Sequence, residues 1–224
     1  MIENSRTKHD DSITKQKEEG RPVSCGLLLL AGGRADRMGG AEKGMLRFQG
    51  RPLLGRILEA GEGFQEIILS AGKGPGPLTL EYLQTAEQKI PVVPDQSFCM
   101  GKGPLAGLYS GLEACVSEAL LAAAWDMPFL SRSAMELLLH ACSGAYDAFV
   151  PVDREGRLQP LFAVYRKSCL PQAKKLLTDG AVSMKQLLQS VRTRYLGAEE
   201  LGLEDRVFHN INTDEAWREL LFMQ

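Results

Sequence analysis

Short apolar runs alternate along the chain with segments in which apolar residues recur three and four positions apart. The first run covers residues 25–31 and stops at two glycines, which is typical of a strand buried on both faces of a sheet. Runs of the same kind lie at residues 66–70, 90–93, 119–125 and 148–152. The pattern therefore predicts a succession of buried strands.

The intervening segments have the spacing of helices with one apolar face. We predict helices over residues 52–60, 104–117 and 133–142, and either Ser131 or Ser133 can cap the third. After residue 157 the pattern loosens. The elements predicted there are a strand over 158–165, helices near 171–177 and 184–191, a strand near 207–210 and a helix from Thr213.

Strands that alternate with helices indicate βαβ units. The predicted fold class is therefore α/β, a single domain over residues 22–224 with a mostly parallel, doubly wound, Rossmann-like sheet. Residues 1–21 carry almost no large apolar side chain and are predicted to form a disordered or loosely held extension. Ligands of such sheets bind beyond the carboxyl ends of the strands, so the residues after each strand are the candidates for a site.

Composition narrows the class of protein. The formal net charge of -2 gives no reason to expect nucleic acid as a partner. No apolar run approaches the roughly twenty residues that span a bilayer, and the polar N-terminus lacks the apolar core of a secretion signal. The five cysteines are odd in number and widely spaced, which argues against a disulfide framework or a zinc cluster. A reducing cytoplasm is the expected location, with no membrane partner.

The segment after the first strand, residues 30–43, is rich in glycine and ends in Ala-Glu-Lys. Glycines let the backbone approach a ligand closely, and successive N–H groups in such a loop form a concave anion site. Arg34, Arg37 and Lys43 add the mobile cations that a triphosphate needs. The segment is neither a P-loop nor a dinucleotide fingerprint. An ordinary glycine-rich turn with solvated basic side chains is the alternative interpretation.

Two aspartates follow predicted strands. Asp126 ends an apolar run, and Pro128 keeps a central strand from continuing past it. A carboxylate at that position can bind Mg²⁺, which prefers one or two carboxylates with phosphate oxygens and water. A turn or helix-capping aspartate is the alternative. Asp95 also follows an apolar run, residues 90–93, and can cap a turn.

Five segments, in order, resemble motifs of the molybdenum cofactor guanylyltransferases, a group of nucleotidyltransferases with a glycosyltransferase-A-like fold. They are Leu-Ala-Gly-Gly at 30–33 with Arg-Met-Gly at 37–39 and Lys43, Gly-Pro-Leu-Ala-Gly-Leu at 103–108, Trp-Asp-Met-Pro-Phe-Leu at 125–130, Gln-Pro-Leu-Phe-Ala-Val-Tyr at 159–165 and Asn-Ile-Asn-Thr at 210–213. The resemblance extends from Val23 to about Trp217. This sequence departs from the family at three positions. It has Trp125 where the family often has Cys, Glu42 where Asp is common, and Ser70 where Asn is common.

The resemblance implies roles for individual residues on the nucleotide side. Arg37 would neutralise the leaving pyrophosphate, Lys43 would lie near the α-phosphate, and Asp126 would hold Mg²⁺. Asp95 would accept hydrogen bonds from the guanine edge, although it can equally cap a turn. The remaining residues implied to contact the nucleotide are Leu30, Ala31, Gly32, Gly33, Ser70 and Gly103.

The second substrate has weaker candidates. Gln159, with Arg154 and Arg157, would face a pterin that carries a phosphate, and solvated loop charges are the alternative. Asn210 and Asn212 are implied to lie in the active-site region, beside the end of the strand predicted near 207–210. Their alternative is strand-to-helix turn chemistry, with Thr213 or Asp214 as the helix N-cap.

The function that the resemblance implies is transfer of GMP from GTP to the phosphate of molybdopterin, with release of pyrophosphate. GTP and molybdopterin are the expected partners, with transient contacts to cofactor-biosynthesis proteins or apo-molybdoenzymes. Two rivals are transfer of CMP to the same pterin and transfer of a nucleotide to a sugar phosphate. A rival of another class is a non-catalytic nucleotide-binding protein that delivers cofactor.

Overall fold

The computed structural model describes residues 24–31, 42–85 and 89–222. The extension predicted over residues 1–21 lies outside these ranges. So do three residues predicted to contact the nucleotide, Gly32, Gly33 and Arg37.

Nine strands and seven α-helices make up the described part of the chain. The strands are β1 Cys25–Leu30, β2 Arg47–Phe48, β3 Arg51–Pro52, β4 Ile67–Ser70, β5 Val92–Val93, β6 Ala119–Ala124, β7 Ala148–Val152, β8 Phe162–Arg166 and β9 Thr193–Gly197. The helices are α1 Leu53–Ala60, α2 Pro77–Thr85, α3 Pro104–Ala114, α4 Arg132–Ala141, α5 Leu170–Thr178, α6 Met184–Ser190 and α7 Asp214–Phe222. Among these helices none is long and apolar enough to cross a membrane.

Seven strands form one sheet in the order β5-β4-β1-β6-β8-β7-β9, and β2 pairs with β3 in a separate hairpin. The pairs β1–β4, β1–β6, β4–β5 and β7–β9 are parallel, whereas β8 is antiparallel to both of its neighbours. Because β8 reverses between β6 and β7, those two strands run in the same direction. The predicted mostly parallel α/β fold is confirmed, and the carboxyl ends of β1, β4, β6 and β7 share one edge of the sheet.

The sheet is covered on both faces. Leu27 and Leu29 of β1 belong to the core beneath α1 and α4, whereas Leu28 and Leu30 belong to the core beneath α3, α5 and α6. This alternation is the two-residue period of a strand buried on both sides. It explains why the run from residue 25 is continuously apolar.

Helix α3 lies unusually close to the sheet because two of its residues have no side chain. A Cβ on Gly107 would lie 2.8 Å from Ser70 Oγ, and a Cβ on Gly111 would lie 2.6 Å from Leu28 Cδ1. Real Cβ atoms do not approach other atoms this closely, so larger residues would push the helix away. The glycines therefore bring the amino end of α3 to the carboxyl edge of the strands.

Two predictions about the later part of the chain were wrong in detail. The predicted strand near 207–210 is a 3₁₀ helix, Asp205–Phe208, in which only Val207 and Phe208 are buried. Two adjacent apolar residues fill one gap in the core, but they are too few to continue a strand. The strand predicted from residue 158 begins at Phe162, because the preceding residues form a turn around Asp153.

Three elements were missed for a physical reason. Helix α2 buries only Thr79 and so has no apolar stripe. Strand β9 lies at the edge of the sheet, half-exposed, and pairs only with β7. The β2–β3 hairpin turns at Gln49 and Gly50, both with positive φ, and its strands have two residues each. Short or edge elements leave little hydrophobic periodicity in a sequence.

Candidate active site

The carboxyl ends of three neighbouring strands are tied together by main-chain hydrogen bonds. Leu30 is in register with both Ser70 and Ala124. The N–H of Ala31 donates to the carbonyl of Ser70 at 2.8 Å, and the N–H of Trp125 donates to the carbonyl of Leu30 at 3.4 Å. The residues that follow β1, β4 and β6 are therefore neighbours at one edge of the sheet.

Lys43 and Asp126 meet at this edge although 83 residues separate them. Lys43 Nζ lies 3.5 Å from Asp126 Oδ2, and the two side chains are 8% and 10% exposed. The ammonium also donates a hydrogen bond of 2.9 Å to the carbonyl oxygen of Ile211. Taking two charges out of water costs more free energy than their attraction commonly returns, so the site holds this pair at a cost in folding energy.

The carboxyl of Asp126 has a pKa above its ordinary value. Burial raises the pKa of its carboxyl, and the neighbouring Lys43 opposes that rise without cancelling it. The main-chain carbonyl of Asp126 accepts a hydrogen bond of 3.0 Å from the N–H of Ile211. The main-chain N–H and carbonyl of Ile211 therefore connect Asp126 to Lys43. Ile211 was not predicted as a site residue, although it stands in the middle of the Asn-Ile-Asn-Thr motif.

The two asparagines of that motif do not flank a strand end, because the strand predicted there is absent from this described segment. Instead residues 209–212 form an irregular segment after the 3₁₀ helix. Asn210 Oδ1 is buried and accepts no hydrogen bond from the described residues, whereas Asn212 is exposed. Thr213 Oγ1 accepts from the N–H of Ala216 at 3.1 Å, which confirms the predicted N-cap of α7.

Trp125 packs directly against the backbone of Gly44. A Cβ on Gly44 would lie 2.5 Å from Cε3 of the indole ring. The tryptophan is buried, and it covers the residue that follows Lys43. The departure from the family at position 125 therefore fills space beside the lysine.

Asp95 is buried and shapes the loop that leads to α3. Its Oδ2 accepts a hydrogen bond of 3.1 Å from the N–H of Gly101, and its own N–H donates to the carbonyl of Gly72. Burial raises the pKa of Asp95, and the bond from Gly101 opposes this shift. Asp95 therefore makes the contacts of a turn-capping residue. Among the described residues, these contacts use only one of its two carboxylate oxygens, Oδ2.

Ser70 and Gly103 lie on either side of this loop. Ser70 ends β4 and is buried against Gly107 of α3. Gly103 precedes α3 with φ 71°, a left-handed conformation that favours glycine. Pro104 then occupies the first helical turn, where its missing N–H costs no hydrogen bond. The Gly-Pro-Leu-Ala-Gly-Leu motif is therefore a helix start pressed against the strand ends.

The β7–β8 turn is organised by the buried carboxylate of Asp153. Its oxygens accept hydrogen bonds from Arg157 N at 2.8 Å, Arg157 Nε at 2.7 Å and Gln159 Nε2 at 3.0 Å. Arg154 Nε lies 3.6 Å from Glu199 Oε1. Two of the three side chains predicted to face the second substrate are therefore engaged within their own turn, and Gln159 lies just before β8, at the same edge as Asp126.

The five cysteines are free thiols. Burial raises the pKa of Cys25, Cys142 and Cys169 to about 12, so these groups stay protonated near neutral pH. Among the described residues, no three His, Cys, Asp or Glu side chains are grouped so that they could hold a metal ion. The chemistry of this edge therefore centres on Lys43 and Asp126.

Residues 27–195 match the model of the MobA-like NTP transferase domain. The chain belongs to the MobA-like NTP transferase family. Membership confirms the predicted enzyme class, a nucleotidyltransferase.

Curated relatives of the family cover nearly the whole chain. A Bacillus cytotoxicus protein named "Probable molybdenum cofactor guanylyltransferase" is 31% identical over 194 residues, which is 87% of this chain and 94% of the relative. A Methanosarcina mazei protein of the same name is 34% identical over 216 residues, covering 90% and 92%. The fold is similar to that of molybdopterin-guanine dinucleotide biosynthesis protein A from Archaeoglobus fulgidus, with TM-score 0.70 and 24% identity over 88% of this chain and 97% of that one.

Proposed function

We propose that this chain transfers GMP from GTP to the phosphate of molybdopterin, giving molybdopterin guanine dinucleotide and pyrophosphate. The observation that carries the proposal is the buried pair of Lys43 and Asp126 at the carboxyl edge of the sheet. A cation and a carboxylate together suit a reaction on a triphosphate, because the negative charge of the phosphates must be stabilised at a fixed position. The Bacillus cytotoxicus and Methanosarcina mazei relatives carry the name of this activity.

The reaction needs no nucleophile from the protein. An oxygen of the molybdopterin phosphate attacks the α-phosphorus of GTP, a new P–O bond forms, and the bond to pyrophosphate breaks. The attacking phosphate is already ionised near pH 7, so alignment and charge stabilisation are what the chain supplies. Lys43 meets the charge at the α-phosphate. Arg37, which lies outside the described residues, is assigned to the leaving pyrophosphate.

The backbone around the nucleotide comes from the strand ends. Leu30 ends β1 and Ala31 follows it, and Gly32 and Gly33 belong to the glycine-rich segment outside the described ranges. Ser70 and Gly103 complete the nucleotide side from β4 and the start of α3. We assign the guanine edge to Asp95, because one of its carboxylate oxygens takes no part in the bond from Gly101.

Mg²⁺ fits the residues beside the lysine. Asp126 offers a buried carboxylate, and Asn210 offers an amide oxygen that is buried without a hydrogen-bond donor among the described residues. Mg²⁺ takes few protein ligands when phosphate oxygens and water complete its shell, so a larger acidic cluster is not required. Bound there, the ion would neutralise charge on the triphosphate.

The second substrate is assigned to the segments next to the end of β6, namely the residues just before β8 and the irregular segment after the 3₁₀ helix. There Gln159, Asn210 and Asn212 would face the phosphate and the flat pterin of molybdopterin. We place the enzyme in the cytoplasm, where free thiols persist. Transient contacts with cofactor-biosynthesis proteins or apo-molybdoenzymes would deliver and remove the pterin.

The test is incubation of the purified chain with molybdopterin, Mg²⁺ and each of the four nucleoside triphosphates in turn. Pyrophosphate release and the dinucleotide product are measured together. We expect GTP to be used well above CTP, ATP and UTP. Preferred use of CTP would replace guanylyl by cytidylyl transfer. Binding of GTP without pyrophosphate release in any mixture would favour a cofactor-delivery protein.

A further inference from the structure

The residue before Lys43 makes a connection that the transfer reaction does not itself require. The carboxylate of Glu42 accepts hydrogen bonds from Leu78 N at 3.0 Å, from Thr79 N at 2.7 Å and from Thr79 Oγ1 at 2.5 Å. These donors belong to the first turn of α2, whose free N–H groups need acceptors. A side chain from a distant part of the sequence thus caps this helix.

The space around the contact is shaped to admit the carboxylate. A Cβ on Gly76 would lie 2.2 Å from both Cδ and Oε1 of Glu42, so only glycine leaves room for it. Thr79 is fully buried, and it is the only buried residue of α2. The attachment of α2 at this end therefore concentrates on the pairing of Glu42 with Thr79.

Hydrogen bonding keeps the carboxylate of Glu42 charged. Burial by itself would raise the pKa of this group, but the bonds from Thr79 and Leu78 together lower it below its ordinary value. A negative charge at the amino end of a helix is favourable, because that end carries a partial positive charge. The contact is thus present throughout the neutral pH range.

Lys43 is fixed on both sides by neighbours in the chain. On one side Glu42 is held by α2, and on the other Gly44 is covered by Trp125. The N–H of Met45 donates to the carbonyl of Glu42 at 2.8 Å, which closes the 3₁₀ turn that contains Lys43. A shift of Glu42 would therefore move the lysine backbone, because one peptide bond joins them.

We propose that Glu42 is a positioning residue for nucleotidyl transfer, which sets the place of the Lys43 ammonium through its hydrogen bonds to Thr79. The inference rests on the proposed function, in which Lys43 acts at the α-phosphate. Misplacing a catalytic group by about 1 Å can cost on the order of a hundredfold in rate. Glu42 itself does not touch the nucleotide in this account.

The experiment separates the hydroxyl of Thr79 from its methyl group. Thr79→Val keeps the shape of the buried side chain but removes the donor to Glu42, whereas Thr79→Ser keeps the donor and removes the methyl. We expect the single-turnover transfer rate to fall about tenfold or more in Thr79→Val, with the KM for GTP changed less than about twofold. Thr79→Ser should retain most of the rate, even though it loses packing and melts at a lower temperature.

The matched control is Thr85→Val, at the other end of the same helix. Thr85 Oγ1 donates to the carbonyl of Tyr82 and has no bond to Glu42. Its transfer rate should equal that of the unaltered chain. Glu42→Gln should lose rate as Thr79→Val does, and the double variant should lose little more, because both changes break one contact.

Two failures can be told apart. An unaltered chain that transfers no nucleotide would overturn the proposed function and this inference with it. A normal unaltered rate, with Thr79→Val as fast as Thr85→Val, would overturn the positioning role alone. The same holds if the rates of the two Thr79 variants follow their melting temperatures instead of the presence of the hydroxyl.

Discussion

The ammonium of Lys43 donates a hydrogen bond to the carbonyl oxygen of Ile211, 168 residues later in the chain, over 2.9 Å. The N–H of Ile211 donates in turn to the main-chain carbonyl of Asp126. The main chain of one residue near the carboxyl end of the chain therefore connects Lys43 to Asp126. This arrangement brings the Asn-Ile-Asn-Thr segment beside Lys43 and Asp126 although no strand positions it.

The contact of Gly44 with Trp125 leads to a prediction about packing. Gly44→Ala should destabilise the fold by about 1–3 kcal/mol and lower the transfer rate, because the new methyl group displaces either the indole or the lysine backbone. Gly197→Ala is the control, since a Cβ there meets nothing closer than 4.0 Å. Thermal melting and transfer assays measure both. Combining Gly44→Ala with Trp125→Cys should restore part of the rate, and no restoration would argue against this contact.

Asp126→Asn should lower turnover by orders of magnitude while the fold survives. The amide keeps the shape of the side chain but loses the charge offered to a metal ion. Burial already penalises the charged carboxylate, but the amide leaves the Lys43 ammonium buried without its charged partner, so the free energy of unfolding should fall by about 3–5 kcal/mol. Transfer rates across a series of Mg²⁺ concentrations provide the measurement, with the exposed Asp179→Asn as control. Near-normal turnover at limiting Mg²⁺ would remove Asp126 from the metal role.

A substitution at Asp95 can separate the preference for guanine from the stability of the loop. Asp95→Asn keeps one side-chain oxygen to accept from Gly101 N, so the melting temperature should change little. If the other oxygen contacts the guanine edge, the variant should bind GTP more weakly and prefer it less strongly over CTP. A site that relies on buried hydrogen bonds discriminates by leaving wrong partners unpaired. A lower melting temperature with an unaltered GTP to CTP ratio would restrict Asp95 to capping the turn.

Asp147 should make the free energy of unfolding depend on pH in the acid range. Hydrogen bonds from the Arg192 side chain, with further bonds from Ser168 and Arg192 N, hold the pKa of Asp147 well below its ordinary value of 3.8. A lowered folded-state pKa stabilises the fold above the unfolded pKa, and this stabilisation is lost as the pH falls through the folded value. Asp147→Asn should therefore cost about 1–3 kcal/mol near pH 7 and progressively less below about pH 4.

Urea unfolding at pH 7, 5 and 3 measures that difference. Arg192 is largely exposed, so solvent screens part of its interaction with Asp147 and places the expected loss at the lower end of that range. Asp179→Asn, at an exposed helix end, serves again as the control. A penalty that stays constant down to pH 3 would mean that Asp147 acts through shape alone.

The sheet could be predicted because its strands are buried on both faces. Residues 25–31 and 119–125 read as continuous apolar runs for that reason, and the fold followed from their alternation with helices. Helix α2 could not be predicted, since its attachment depends on a hydrogen bond from Glu42 and on the absence of a side chain at Gly76. Neither leaves a hydrophobic period in the sequence.

The residues of the site differ in how much of their position and contacts could be predicted from the sequence. Asp126 follows a buried strand, so its place at the sheet edge could be expected from topology. Lys43 was identified by its glycine-rich surroundings and by the family resemblance, but its pairing with Asp126 is a long-range contact that spacing does not encode. Ile211 contacts Lys43 and Asp126 through its main-chain carbonyl and N–H. Almost every residue possesses these groups, so no side-chain pattern could have indicated this role.

The most direct test of the account is single-turnover transfer by Lys43→Met, measured beside equilibrium binding of GTP. Methionine keeps an unbranched stem but carries no charge, and Lys43→Arg serves as the charged comparison. If the ammonium meets charge that grows in the transition state, the transfer rate should fall by about a hundredfold or more, with a much smaller loss of GTP affinity. Lys43→Arg should recover only part of the rate, because its planar fork directs the charge differently. Equal losses of affinity and rate would make Lys43 a general nucleotide-binding residue, and an unchanged rate would contradict the assignment of transfer to the Lys43–Asp126 pair.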